Sequence, residues 1–105
     1  MVKLQVLFRT GQRSEAYYES YNRFLMKIDE LPGLRRKSVS SVYGAMGGAI
    51  PFDTIVEAYF DDQGALQAAL TSEAGAEAGR LLIQFAGPNA LALYADLLEE
   101  SYDAD

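Results

Sequence analysis

Few side chains in this sequence can do chemistry, because Cys and His are both absent. Their absence removes thiolate nucleophiles, imidazole acid–base catalysis, disulfides and the usual protein ligand sets for zinc and haem. We therefore predict no metal site and no cofactor. The remaining candidates for catalysis are the phenols of Tyr17 and Tyr21 and the carboxylate of Glu57.

Glu57 stands between Val56 and Ala58 in an apolar run, so its carboxylate must face solvent or be paired. The sequence favours an ion pair with Arg9, Lys37 or their symmetry mates, which would order an interface between two copies. The alternative is a functional carboxylate with a shifted pKa.

A second group of residues is aromatic or soft and recurs at helical spacing beside a glycine-containing loop. Residues of this kind are typically core, but a tyrosine-rich wall next to such a loop also holds small aromatic ligands. The loop matches neither a P-loop nor a dinucleotide-binding motif. The candidate ligand-binding residues are Phe8, Tyr17, Tyr21, Phe24, Tyr43, Met46 and Phe52.

The elements that would position these side chains follow from hydrophobic periodicity. Strict alternation predicts a strand from Val2, and a helix capped by Ser14 should follow. Further strands are predicted over 34–43, 54–60 and 90–95, with helical segments after Asp61-Asp62 and from Ser72. The order strand, helix, strand, repeated once, predicts an α+β ferredoxin-like split βαβ sandwich, in which helices cover one face of a four-stranded antiparallel sheet.

The two faces of that sheet differ in what they should contact. The face expected beneath the helices carries Val2, Leu4, Val6, Phe8, Val56, Ala58, Phe60, Leu91 and Leu93. The other face is expected to carry Leu7, Val39, Tyr43, Ile55, Tyr59, Ala92 and Tyr94, with Gln5, Arg9, Lys37 and Glu57 between them. Such a face is too apolar for a monomer, which predicts a homodimer formed sheet against sheet.

Length and charge complete the prediction. A chain of 105 residues fits a single domain, assigned to 1–95, followed by an acidic tail at 96–105 that holds five acids and no base. The near-neutral body and acidic tail argue against nucleic acid or an anionic membrane as partner. No targeting segment or apolar run of membrane-spanning length is visible, so a cytoplasmic location is expected.

With these elements in place, the sequence resembles the EthD-like family of the dimeric α+β barrel superfamily, over about residues 2–95. The residues that carry the resemblance are Val2–Phe8, Leu31-Pro32-Gly33-Leu34-Arg35-Arg36, Gly48-Ala49-Ile50-Pro51-Phe52, Val56–Asp61, Ala65–Leu70 and Phe85-Ala86-Gly87. The resemblance implies a homodimer whose two sheets form a barrel, and a role in the oxidation or breakdown of small organic molecules.

One departure from the family bears on mechanism. Many members carry a His, with a Pro two residues later, where this sequence has Phe24 and Met26. A mechanism that uses that His is therefore not available here, and the pocket should be more apolar. Two functions remain open: an EthD-like homodimer that binds a small, largely apolar organic molecule and assists its oxidation, rearrangement or degradation, or a non-catalytic binding or accessory protein that supports a partner oxidation enzyme.

Overall fold

The structure, a computed structural model, describes residues 1–102. The elements follow one another as β1 (Val2–Arg9), α1 (Glu15–Asp29), β2 (Arg36–Ser41), β3 (Phe52–Phe60), α2 (Gln63–Leu70), α3 (Glu73–Phe85), a 3₁₀ turn (Gly87–Asn89) and β4 (Ala90–Asp96). The predicted order of strands and helices is therefore confirmed, with β2 shorter and β3 longer than the sequence pattern indicated.

Each helix begins at a side-chain N-cap that the sequence predicts. The Ser14 hydroxyl accepts a hydrogen bond from the Tyr17 amide at 3.1 Å, and the Ser72 hydroxyl accepts one from the Gly75 amide at 3.1 Å. The Asp62 carboxylate accepts from the Ala65 amide at 2.8 Å and so begins α2. Because a cap satisfies amides that lack a partner within the helix, these residues fix where the helices begin.

The four strands form one antiparallel sheet in the order β2-β3-β1-β4. β1 is central, and Val6 lies opposite Val56 on β3 and Ala92 on β4. The helices cover one face, where the buried core contains Val6, Phe8, Phe24, Ile28, Val56 and Phe60. We call the opposite face of the sheet the open face.

The register corrects the predicted faces of the two edge strands. Val39 pairs with Val56 and Lys37 with Ala58, so both lie on the helix-covered side rather than on the open face. On β4, Tyr94 pairs with Leu4 and Ala92 with Val6, which likewise puts them on the helix side. Leu91 and Leu93, expected beneath the helices, instead pair with Leu7 and Gln5 and lie on the open face. For β4, the reason is that both of its sides are apolar, so the alternation of side chains cannot show which side faces the helices.

The end of the chain departs slightly from the predicted boundary. β4 continues to Asp96, the first residue of the segment assigned to the acidic tail. Beyond it, the Leu97 amide donates to the Met1 carbonyl at 2.9 Å, and Arg36 pairs with Glu99 at 3.2 Å. Asp103 and Asp105 of the predicted tail lie outside the described residues. Within residues 1–102, no helix has the length and apolar character needed to cross a membrane.

Candidate functional site

Five aromatic side chains meet where β1 ends, and we call them the aromatic cluster: Phe8, Tyr17, Tyr21, Phe24 and Phe85. Phe8 stacks on Phe85 with ring centroids 6.1 Å apart and meets Tyr21 edge-to-face at 5.5 Å. Tyr17 meets Phe85 edge-to-face at 5.1 Å. The helical spacing in α1 aligns its three rings, and β1 and α3 supply the other two.

The aromatic cluster forms one wall of a cleft of about 500 Å³, which we call the α1 cleft because it opens beside the first turn of that helix. Tyr17 and Phe85 reach its surface, and the turn from Arg9 to Ser14 forms another wall. Ser20, Gln84 and Asn89 add hydroxyl and amide groups. The α1 cleft thus combines an aromatic wall with uncharged donors and acceptors and with arginine, a composition suited to a small organic molecule that carries oxygen atoms.

Arg13 fixes the shape of the α1 cleft. Its guanidinium donates to both Asp53 carboxylate oxygens, at 2.9 and 2.7 Å, and to the Arg9 carbonyl at 2.6 Å. The same group lies 5.1 Å from the centroid of the Tyr17 ring. Asp53 can accept these hydrogen bonds from Arg13 because the β1–β3 register shifts beside it. Phe8 pairs with Thr54, whereas Arg9 pairs with Phe52, so Asp53 is left without a partner in the β1–β3 ladder. A bulge of this kind redirects a side chain towards a site.

The protonation states in and beside the α1 cleft follow from these contacts. Burial raises the pKa of Tyr17 and of Tyr21 above the ordinary value, and the nearby Arg13 charge offsets only part of that effect. The hydrogen bond from Arg13 lowers the pKa of Asp53. At neutral pH both tyrosines are therefore neutral phenols that can donate a hydrogen bond. Asp53 is an anion whose two carboxylate oxygens both accept hydrogen bonds from Arg13.

Glu57 lies on the open face, on the side of the sheet opposite the aromatic cluster. Its Oε2 accepts a hydrogen bond from Lys3 Nζ at 2.7 Å and from Gln5 Nε2 at 3.3 Å. The predicted partners were different: Lys37 pairs with Asp29 on the helix side instead. These contacts with Lys3 and Gln5 on the adjacent strand β1 form an ion pair within the chain, not the predicted pair with Arg9 or Lys37 between two copies.

Three of the candidate ligand-binding residues are not brought to the aromatic cluster. Tyr43 and Met46 are fully exposed in the connection between β2 and β3. Phe52 pairs with Arg9, whose guanidinium lies 5.4 Å from the centroid of its ring. The cluster therefore unites Phe8, Tyr17, Tyr21 and Phe24 from the predicted set and leaves these three outside it.

Phe85 is the member of the aromatic cluster that the sequence interpretation missed. The sequence contains a signal for Phe85, because the apolar residues of α3 recur at the same spacing as those of α1, and Phe85 is the last residue of that pattern. Two amphipathic helices on one face of a sheet must turn their apolar stripes towards the same core. Within residues 1–102, no group of three or more metal-ligating side chains is placed to hold an ion.

Comparison with solved structures identifies the fold. The chain is similar to an ethyl tert-butyl ether D (EthD) family protein from Bacillus halodurans C-125, with 29% identity and a TM-score of 0.85 over 93% of this chain and 99% of that one. A dimeric ferredoxin-like protein of unknown function from Jannaschia sp. CCS1 is 16% identical, with a TM-score of 0.73 over 91% and 98% of the two chains. SnoaB, a cofactor-independent oxygenase from Streptomyces nogalater, is 12% identical, with a TM-score of 0.66 over 94% of each chain.

No protein-family model matches the sequence, and no curated protein matches it. The structural comparison confirms the predicted resemblance: the chain is EthD-like, with the ferredoxin-like α+β fold.

Proposed function

We propose that this EthD-like protein is a cytoplasmic homodimer that binds a small organic molecule in the α1 cleft of each subunit. The observation that carries the proposal is the joint placement of Tyr17 and Phe85 on the wall of a cleft whose other side chains donate and accept hydrogen bonds. An aromatic ring fits against these two residues, and oxygen substituents fit against Ser20, Gln84 and Asn89.

Tyr17 is the residue best placed to act on such a ligand. Its pKa is raised, so the phenol keeps its proton at neutral pH and can donate a hydrogen bond to a ligand oxygen. That bond would strengthen if oxidation of the ligand placed negative charge on the oxygen, which is a way to assist a reaction without metal or flavin. The similarity to the cofactor-independent oxygenase SnoaB supports the proposal that Tyr17 assists oxidation of the ligand.

The alternative is binding without catalysis, and one observation favours it. The pKa values of Tyr17 and Asp53 are shifted away from neutrality, one upwards and the other downwards. Proton transfer is most efficient when the pKa of the acid or base lies near the working pH. The cleft is therefore better equipped to hold a ligand than to shuttle its protons.

The homodimer is supported by the open face. Leu7, Ile55, Leu91 and Leu93 form an apolar area there, and the last two are each 43% exposed in the single chain. Apposing two such faces would bury the same residues on both sides, as a two-fold interface requires. Three proteins of similar fold are described as dimeric, which agrees with a homodimer.

The ligand proposal can be tested with 1-naphthol as the probe. Isothermal titration of the wild-type protein should show one site per chain, and Tyr17→Phe should weaken binding about 3- to 10-fold through loss of one hydrogen bond. Tyr102→Phe is the matched control, because Tyr102 is 82% exposed and lies far along the chain, in the tail. Unchanged affinity in Tyr17→Phe would refute its role as donor, and absence of binding to the wild type would refute the site.

Turnover separates the two functional alternatives. If the protein assists oxidation, an oxidation product of 1-naphthol should accumulate with the wild type in air. It should accumulate more slowly with Tyr17→Phe, while the midpoints of thermal unfolding of the two proteins stay close. Saturable binding without product would establish the non-catalytic alternative.

A further inference from the structure

The connection between β2 and β3 presents two large apolar side chains to solvent, and we call residues 43–49 the β2–β3 arm. Tyr43 and Met46 are both fully exposed in the single chain. The segment 38–52, which contains the arm, carries no charged residue. Tyrosine and methionine are enriched where proteins meet, and contiguous exposed apolar surface marks interaction sites. The composition of the arm is therefore typical of a contact surface.

The base of the β2–β3 arm is fixed on both sides. The Val42 amide donates to the Asp53 carbonyl at 2.9 Å, and the Thr10 hydroxyl donates to the Ile50 carbonyl at 2.7 Å. Between these anchors the chain turns at Gly47, whose φ of 93° is readily adopted only by glycine. The arm therefore projects from a defined place, the end of the sheet at which β4 begins.

The two ends of the open face differ in charge, and this difference selects how two copies can meet. The row of residues nearest the arm is uncharged and consists of Ser40, Ile55, Leu7 and Leu91. The row at the opposite end carries two cations and consists of Arg36, Tyr59, Lys3 and Ala95. If like ends meet, the uncharged row stacks on its own copy, whereas opposite ends would press it against Arg36 and Lys3. Because burial of a charge against apolar groups is costly, the arrangement with like ends together is favoured.

This arrangement brings the β2–β3 arm of one copy to β4 of the other. A two-fold axis that runs along the strands reverses the strand order of the second sheet, so β2 of one copy lies over β4 of its partner. Within its own chain the arm is separated from β4 by the width of the sheet, about 14 Å. The edge strand β4 is a matching surface, because residues 90–95 are uncharged and Leu91 and Leu93 are each 43% exposed.

From the exposed arm, its fixed base and the charge pattern of the open face, we infer that the β2–β3 arm is a contact between subunits. Tyr43 and Met46 of one copy pack against the start of β4 in the other, at Leu91 of the partner subunit. The inference rests on the proposed homodimer and adds to it a surface that lies outside the open face. Each contact forms twice in a two-fold pair, so the loss of one side chain affects the dimerisation constant twice.

Sedimentation velocity over a range of protein concentrations tests the energetic part of the inference. The double variant Tyr43→Ala/Met46→Ala should weaken dimerisation about 100-fold, because the pair of subunits loses four buried side chains. The matched control is Tyr18→Ala/Met26→Ala, which removes an exposed tyrosine and an exposed methionine from α1, in the helix layer, and should change the dimerisation constant by less than about 2-fold. A monomeric wild type would refute the homodimer together with the arm contact. A dimeric wild type whose dimerisation constant is unchanged in the arm variant would refute the arm contact alone.

Cross-linking tests the orientation, because the chain has no cysteine of its own. Met46→Cys protein and Leu91→Cys protein, one of them carrying a tag that changes its size, are mixed and treated with a short bis-maleimide. We expect a cross-linked heterodimer from this mixture and none from Met46→Cys with Arg36→Cys, since the arm would approach Arg36 only if opposite ends of the open face met. The inference is overturned if the Arg36→Cys mixture gives as much heterodimer as the Leu91→Cys mixture or more, or if neither mixture gives any.

Discussion

Two glycines in one helix should respond in opposite ways to the same substitution. Gly75 and Gly79 both lie in α3, one helical turn apart, so replacement by alanine raises helix propensity by a similar amount at each. Their surroundings differ. A Cβ at Gly75 would approach the Ala69 carbonyl oxygen at 2.2 Å and the Leu70 carbonyl oxygen at 2.7 Å, whereas a Cβ at Gly79 would meet nothing within 4 Å.

The expected changes follow from these distances. Gly79→Ala should raise the free energy of unfolding by about 1 kcal/mol, the difference in helix propensity. At Gly75 the neighbours are backbone atoms of the α2–α3 junction and cannot rotate away, so the overpacking cost should reach the upper part of the usual range, about 3 kcal/mol. After subtraction of the same propensity gain, Gly75→Ala should lower the free energy of unfolding by about 2 kcal/mol.

Urea denaturation followed by circular dichroism measures both changes. With a slope of about 2 kcal/mol per molar urea for a domain of this size, the midpoint should rise by about 0.5 M in Gly79→Ala and fall by about 1 M in Gly75→Ala. All proteins must be compared at one protein concentration, because the urea midpoint of the proposed homodimer would depend on it. Equal shifts of the same sign in the two variants would refute the packing assigned to the α2–α3 junction.

Two further predictions concern charge and assembly. Asp53→Asn should lower the free energy of unfolding by about 1 kcal/mol at pH 7. Because Arg13 lowers the pKa of the folded carboxyl, this stabilisation is complete above the unfolded value of about 4 and is lost as the pH falls through the lowered value, so the urea midpoints of variant and wild type should converge as the pH is lowered through that window. A constant difference across that window would contradict the ion pair. Leu93→Glu should convert the proposed homodimer to monomer in sedimentation velocity by placing a carboxylate on the apolar part of the open face, while Leu98→Glu, at an 83% exposed tail position, should leave the oligomeric state of the wild type unchanged. A dimeric Leu93→Glu variant would show that the open face is not the interface.

The elements of the fold were predictable because their signals are local. Ser14 and Ser72 cap the helices that they were expected to cap, and the alternation from Val2 to Phe8 gives the correct buried face of β1. The phase of β4 was not predictable, since Leu91-Ala92-Leu93-Tyr94 offers an apolar side chain to either face. Its phase is set by pairing with β1, which is a tertiary effect.

The candidate site was predictable in part for the same reason. Tyr17, Tyr21 and Phe24 share one face of α1, so their meeting with Phe8 follows from helical spacing and from the sheet. Arg13 and Asp53 are 40 residues apart, and the bulge that brings them together leaves no mark in composition or periodicity. Tyr43 and Met46 were included among the candidate ligand-binding residues because of their residue types, but their loop places them away from the aromatic cluster.

The central position of β1 also bears on the order of events during synthesis. β1 leaves the ribosome before the other three strands of its sheet, yet its partners on either side are residues 52–60 and 90–96. Both hydrogen-bonded ladders of β1 can therefore close only after β4 has emerged. Sheets built from such distant pairings fold slowly and expose unpaired strands meanwhile. Slowing translation between β3 and β4 should therefore prolong a species in which β1 has one free edge.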